Sequence, residues 1–175
     1  YDAKREIFYR KNIRTGKDIV VKRYLFDQFD IERYKTTVLT TLVSQFFANQ
    51  FNNTKVASRK ISFKNVYLLN YNNHLYFLES ELNNFTKFNN NAKYYNYDEK
   101  YKTLEAFMHF TYNYSNNQLV ICDLQGDIYN YDYELTDATI NSINNFFGIT
   151  DQGINGITKV LGSYKYNSFC LKLNL

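Results

Sequence analysis

The sequence predicts an α+β protein built in two lobes, because strand-like segments crowd its first half and helix-like segments its second. The chain has 175 residues, enough to bury a core without disulfide or metal staples. Hydrophobic residues make up 45% and aromatics 19%, which excludes a disordered tail. No apolar run approaches the roughly 18 residues of a membrane helix, and no signal-peptide core follows the opening Tyr1-Asp2-Ala3-Lys4. Membrane partners are therefore not expected. Cys122 and Cys170 form no disulfide framework, so a reducing, cytoplasmic setting is expected. The net charge of +4 is too mild to argue for a nucleic-acid partner.

The elements follow in order. Residues 6–9 and 18–25 read as two strands around a turn containing Gly16, a hairpin. Val38, Leu39, Leu42, Val43, Phe46 and Phe47 recur at helical spacing, which predicts a helix over 34–51. Residues 61–69 and 74–78 read as strands joined by an asparagine-rich turn at 70–73. The stretch 83–98 is polar and irregular. Leu104, Phe107, Met108 and Thr111 mark a second helix, and Leu119-Val120-Ile121-Cys122 a buried strand. A third helix is expected over 136–147, with Thr136 as N-cap and Gly148 past its end. A glycine-containing loop and a tail over 163–175 complete the chain. Proline is absent, and there are only 6 glycines, so each surviving glycine is informative. No Asp or Glu falls between Glu32 and Glu79, while Arg33, Lys35, Lys55, Arg59, Lys60 and Lys64 do. Such a run usually marks a solvated face; the sharper reading is a positive wall facing a polyanion.

Several residues carry chemistry. Asp123-Leu124-Gln125-Gly126 follows the buried strand directly, so Asp123 and Gln125, two apart, can converge on one point. An ordinary turn would use the same residues. Lys22 lies inside an apolar strand and must snorkel or find an anion. A strand lysine on nucleotide phosphates is a recurring part of phosphoryl-transfer enzymes. Asp137 opens the expected third helix, where an acid also favours the helix dipole. Gly153 and Gly156 would let backbone N–H groups approach a phosphate or a peptide.

Longer stretches frame these residues: Val20-Val21-Lys22-Arg23-Tyr24, Phe85-Thr86-Lys87-Phe88-Asn89-Asn90-Asn91 and Ala106-Phe107-Met108-His109-Phe110-Thr111-Tyr112. Asp123-Leu124-Gln125-Gly126, Leu135-Thr136-Asp137-Ala138 and a glycine segment from Phe147 to Ile157 follow. In this order they resemble the alpha-kinase family, the atypical protein kinases that include elongation-factor kinase and myosin-heavy-chain kinase. The resemblance covers nearly the whole chain. It implies a two-lobed kinase-like fold, with an N-lobe over 1–79 that lacks its first strands and a C-lobe over 80–175. It also implies an ATP-dependent protein serine/threonine kinase, whose partner is a protein substrate with a Ser or Thr acceptor. The alternative is a catalytically impaired pseudokinase that binds nucleotide or a partner protein.

Roles follow from the same resemblance. Arg5 and Lys22 would contact the ATP phosphates, and Glu79 would lie in the hinge beside the adenine. Asp123 would position the attacking hydroxyl, and Gln125 and Asp137 would hold Mg²⁺. Gly153 and Gly156 would belong to a loop near the peptide substrate. The family's zinc site uses two His and two Cys. Here His109 and Cys170 remain, while Tyr164 and Tyr166 stand at the other two positions. Neutral Tyr is a poor zinc ligand, so His109 reads as a satisfied helix histidine and zinc is doubtful.

Overall fold

A computed structural model of the chain describes residues 5–25, 30–89, 101–163 and 166–175. Its first sheet is antiparallel, in the order β1-β2-β5-β4. It contains β1 (Arg5–Lys11), β2 (Asp18–Tyr24), β4 (Tyr67–Tyr71) and β5 (His74–Ser80). Helix α1 (Ile31–Asn53) and strand β3 (Ile61–Phe63) lie between β2 and β4 in sequence. The expected single strand over 61–69 is thus two strands. β3 leaves the first sheet and pairs in parallel with β9 (Asp132–Thr136). The second sheet runs β3-β9-β8-β6, with β8 at Gln125–Tyr129 and β6 at Thr86–Lys87. Helix α2 (Lys102–Tyr114) leads into β7 (Leu119–Cys122), which pairs with β10 (Thr139–Ser142).

The predicted helix α1 forms, capped by Asp30, whose carboxylate accepts from the Arg33 N–H at 3.2 Å. Its buried face differs in phase from the expected stripe. Tyr34, Ser44, Phe47, Ala48 and Phe51 point inward, while Leu39, Leu42 and Phe46 are exposed. Tyr34 fixes that phase. Its ring stacks on Phe77 at 4.6 Å, meets Tyr24 edge-on at 5.1 Å, and its hydroxyl accepts from the Tyr24 N–H.

The third predicted helix does not form. Residues 139–142 are instead β10, buried along their length against β7, and Asp137 lies in the left-handed turn before it, at φ 52°. Thr136 caps nothing; it ends β9. The glycine segment is likewise no loop. After a 3₁₀ turn at Gly148–Thr150, it forms helix α3 (Gly153–Ser163), followed by the short α4 (Ser168–Lys172). Gly156 has to be glycine because α3 packs tightly on β10. A Cβ there would come within 2.4 Å of the Asn141 side chain. The turns of this glycine-poor chain use asparagine: Asn72, Asn73, Asn116, Asn117, Asn130, Asn145 and Asn174 all adopt positive φ.

The basic run is only partly engaged in contacts. Lys64 is buried, Arg59 lies 4.0 Å over the Tyr131 ring, Arg33 lies 4.0 Å over Tyr24, and Lys35 pairs with Glu32. Lys35, Lys55 and Lys60 are exposed, so half of the run is the solvated face that the sequence predicts.

Candidate active site

The turn between β7 and β8 places Asp123. Its φ of 56° swings the chain out of the strand, so Asp123 and Gln125 come together through a turn and not through one extended run. Asn89 pins that turn. Its side-chain oxygen accepts from the Leu124 N–H at 2.6 Å, while the N–H groups of Phe88 and Asn89 donate to the Leu124 carbonyl. The next residue, Gly126, has φ +157°, and a Cβ there would stand 2.1 Å from the Glu134 carbonyl oxygen. Only glycine lets β8 lie this close to β9. Lys87, which faces Gln125 across β6 and β8, reaches the Asp123 carboxylate at 2.9 Å. Burial pushes the Asp123 carboxyl up, Lys87 draws it back, and Asp137 adds to the rise; the net direction is upward.

The turn between β9 and β10 places Asp137 opposite the first sheet. One of its oxygens meets Arg5 at 2.5 Å and the other meets Lys22 at 2.6 Å. Burial works against the charged form of Asp137, but the two cations outweigh it and hold the carboxyl well below the ordinary range. Lys22 feels the converse. Burial disfavours its charge, and Asp137 and Glu79 more than restore it. Arg5 is held further by the rings of Tyr24 and Phe77, at 5.2 and 5.6 Å.

The Glu79 carboxylate is buried. It pairs with Lys22 and accepts from the Thr136 hydroxyl at 2.6 Å. Its side chain therefore serves the lysine, while its backbone lies at the end of β5, where the chain passes to the second sheet. Gln125 donates through its amide nitrogen to the Asp137 carbonyl at 3.3 Å. A cleft of about 490 Å³ opens between α1 with the edge of the first sheet on one side and the turns at Asp123 and Asp137 on the other, lined by Arg5, Asp123, Gln125, Asp137, Thr37 and Ile149 among others.

Five predicted residues thus converge: Arg5, Lys22, Asp123, Gln125 and Asp137. Gly153 and Gly156 do not. Both are buried in α3, and the cleft's lip is Phe147–Thr150. Asp151 shapes this lip by accepting from the N–H groups of Ser142, Phe147 and Gly153 and from the Ser142 hydroxyl. Sequence reasoning gave Lys87, Asn89 and Asp151 no role. All three stand inside the segments that carry the family resemblance, which is their available signal.

Of the four zinc positions, His109, Tyr166 and Cys170 lie within the described residues. His109 is buried in α2, with the Tyr166 ring 4.4 Å from its own, and Tyr164 lies outside the described residues. Cys170 is buried in α4, and burial pushes its thiol up. Among the described residues no three His, Cys, Asp or Glu side chains group as a metal site. Asn167 ties α4 to α2 instead, capping α4 and donating to the Lys102 carbonyl at 3.0 Å.

Comparison with known proteins gives a consistent result. The chain matches the family model of the Alpha-kinase family over residues 2–170. It is 30% identical to alpha-protein kinase vwkA of Dictyostelium discoideum over 91% of its own length and 28% of that protein's. Myosin heavy chain kinase B of the same organism is 40% identical over 52% of the chain and 12% of that kinase. The chain therefore spans less than a third of these relatives. In structure it resembles an alpha kinase from Entamoeba histolytica, with TM-score 0.89 and 28% identity, covering 100% of this chain and 75% of that one. It also resembles the alpha-kinase domain of myosin heavy chain kinase A in complex with ADP, with TM-score 0.79 and 30% identity, covering 91% and 65%.

Proposed function

Because the chain belongs to the alpha-kinase family, we propose that it is an ATP-dependent protein kinase that transfers the γ-phosphoryl group of ATP to a Ser or Thr hydroxyl of a protein. One observation carries this reading: Arg5 and the carboxylates of Asp123 and Asp137 line a single cleft, and Lys22 reaches it from the first sheet through Asp137. A decayed binding module has no use for all four. We assign residues 1–79 to the first lobe and 80–175 to the second, with β3 lent to the second lobe's sheet.

Lys22 and Arg5 bind the phosphates in this reading. Both also pair with Asp137, which holds the two cations side by side at the cleft. Glu79 holds the Lys22 ammonium in place from the far side. Gln125 and Asp137 offer the hard oxygen donors that suit Mg²⁺, and the metal, when bound, neutralises charge on the phosphates. Asp123 orients the acceptor hydroxyl and takes its proton as the new P–O bond forms and ADP departs. Lys87 keeps that carboxylate aimed. The free, buried thiols of Cys122 and Cys170 support a cytoplasmic setting.

Two variants test the assignment. Asp123→Ala is expected to keep nucleotide binding and lose phosphoryl transfer to a Ser/Thr peptide, because its role belongs to the transition state. Lys22→Ala is expected to weaken both. Transfer of labelled γ-phosphate, read beside binding of a fluorescent ATP analogue, separates them. Near-normal turnover by Asp123→Ala would sink the role given to it.

A further inference from the structure

The geometry points to Lys64 as a positioning residue that sets the spacing of the nucleotide site, a role that rests on the kinase reading above. Lys64 directly follows β3 and is buried. Its ammonium has three donors, and three separate groups receive them: the Ser80 hydroxyl at 2.9 Å, the Glu81 carbonyl at 3.3 Å and the Glu134 carboxylate at 2.9 Å. Its backbone is anchored as well. The Lys64 N–H donates to the Leu135 carbonyl at 2.8 Å, and its carbonyl accepts from the Gln45 side chain of α1.

The positions of those partners give the contact its meaning. Ser80 and Glu81 directly follow Glu79, where the first sheet hands the chain to the second. Glu134 lies on β9, three residues before Asp137. Glu79 and Asp137 are the two carboxylates that grip Lys22. Lys22 and Lys64 therefore bridge the same two segments, Lys22 at the cleft and Lys64 one step behind it. The connecting segment has few other ties: Glu81 N–H to the Asp18 carbonyl at 3.2 Å and Asn84 N–H to Asp127 at 3.1 Å. A buried ammonium is costly unless fully paired. A side chain that serves only to fill space would be apolar here. Lys64 spends its charge on holding Glu79 at a fixed distance from Asp137, and so on presenting Lys22 to the phosphates.

The test compares Lys64→Met, Lys64→Arg and Glu134→Gln in the full chain. Lys64→Met is expected to weaken binding of a fluorescent ATP analogue about tenfold, the scale of one lost charge-assisted hydrogen bond. KM for ATP should rise in step, while kcat at saturating ATP and KM for peptide stay within about twofold. Amide exchange over 79–85 should quicken. Lys64→Arg should restore most of the affinity, which mere packing would not explain. Unchanged nucleotide affinity in Lys64→Met overturns the role. If that variant fails to fold, Glu134→Gln, at a partly exposed carboxylate, decides instead: a loss of about threefold supports the role and no loss overturns it. If the parent chain binds no nucleotide, the kinase reading falls. Exchange over 79–85 then judges Lys64 alone, and unchanged exchange rejects it.

Discussion

Asp123 is under opposed influences, and the balance can be measured. Burial and Asp137 raise its carboxyl while Lys87 lowers it, with a net rise. The ionised form is the one that accepts a hydroxyl proton, so activity falls as pH drops through the raised value. The acid limb of kcat is therefore expected above the ordinary aspartate value of about 3.9. Lys87→Met removes this lowering influence and should move that limb higher still. A pH–rate profile of both proteins checks this, and a limb that moves down in the variant would contradict the geometry. Asp137 illustrates the reverse sign. Arg5 and Lys22 hold its carboxyl below the unfolded value, so the stability it lends is present above about pH 4 and is lost as pH falls through the folded value. Much of this site was legible at the level of single residues. Lys22, Asp123, Gln125 and Asp137 announced themselves by type and order. The Lys22–Glu79 pair did not, because a contact between residues so distant in sequence leaves no local pattern.

At the scale of elements, legibility depended on whether local and tertiary preferences agreed. α1 and α2 repeat apolar residues over long stretches, and both were evident. Residues 136–147 misled because Ile140, Ile143 and Phe146 mimic helical spacing, yet only Ile140 is buried; pairing with β7 decided the conformation. α3 was hidden for the opposite reason. Its glycines disfavour a helix locally, but close packing on Asn141 demands one of them. The junction of α2 and α4 is the element-level prediction. Two good donors do not close a tetrahedral zinc site, and the Tyr166 ring packs against His109. The protein purified without added metal should carry well under one zinc per chain and fold regardless. Elemental analysis decides; stoichiometric zinc whose removal unfolds the chain would show that another residue completes the site.

Across the whole molecule, the two sheets are supported unequally. Among the described residues, the first sheet and α1 share a small buried cluster of Tyr24, Tyr34 and Phe77. The second part gathers a large continuous core around α2, β7 and β9. Local opening should follow that division. Native-state hydrogen exchange is expected to release the amides of β1 and β4 well before those of β7 and β10, and saturating nucleotide should slow the first group by bridging the cleft. Uniform exchange through global unfolding would refute this. The asparagine turns have a further effect, on the chain before it folds. Glycine at those seven positions would roam both halves of backbone space when unfolded, at a cost of roughly 0.5–1 kcal/mol per residue on ordering. Asparagine gives up some of that freedom in advance and meets a modest left-handed penalty in the native state. The two effects offset each other, so Asn→Gly exchanges at these turns should leave Tm nearly unmoved, except at Asn145, whose side chain donates to the Asp151 carbonyl at 3.0 Å. A sequence drained of glycine and proline has thus kept its turns by narrowing the ensemble from which it starts.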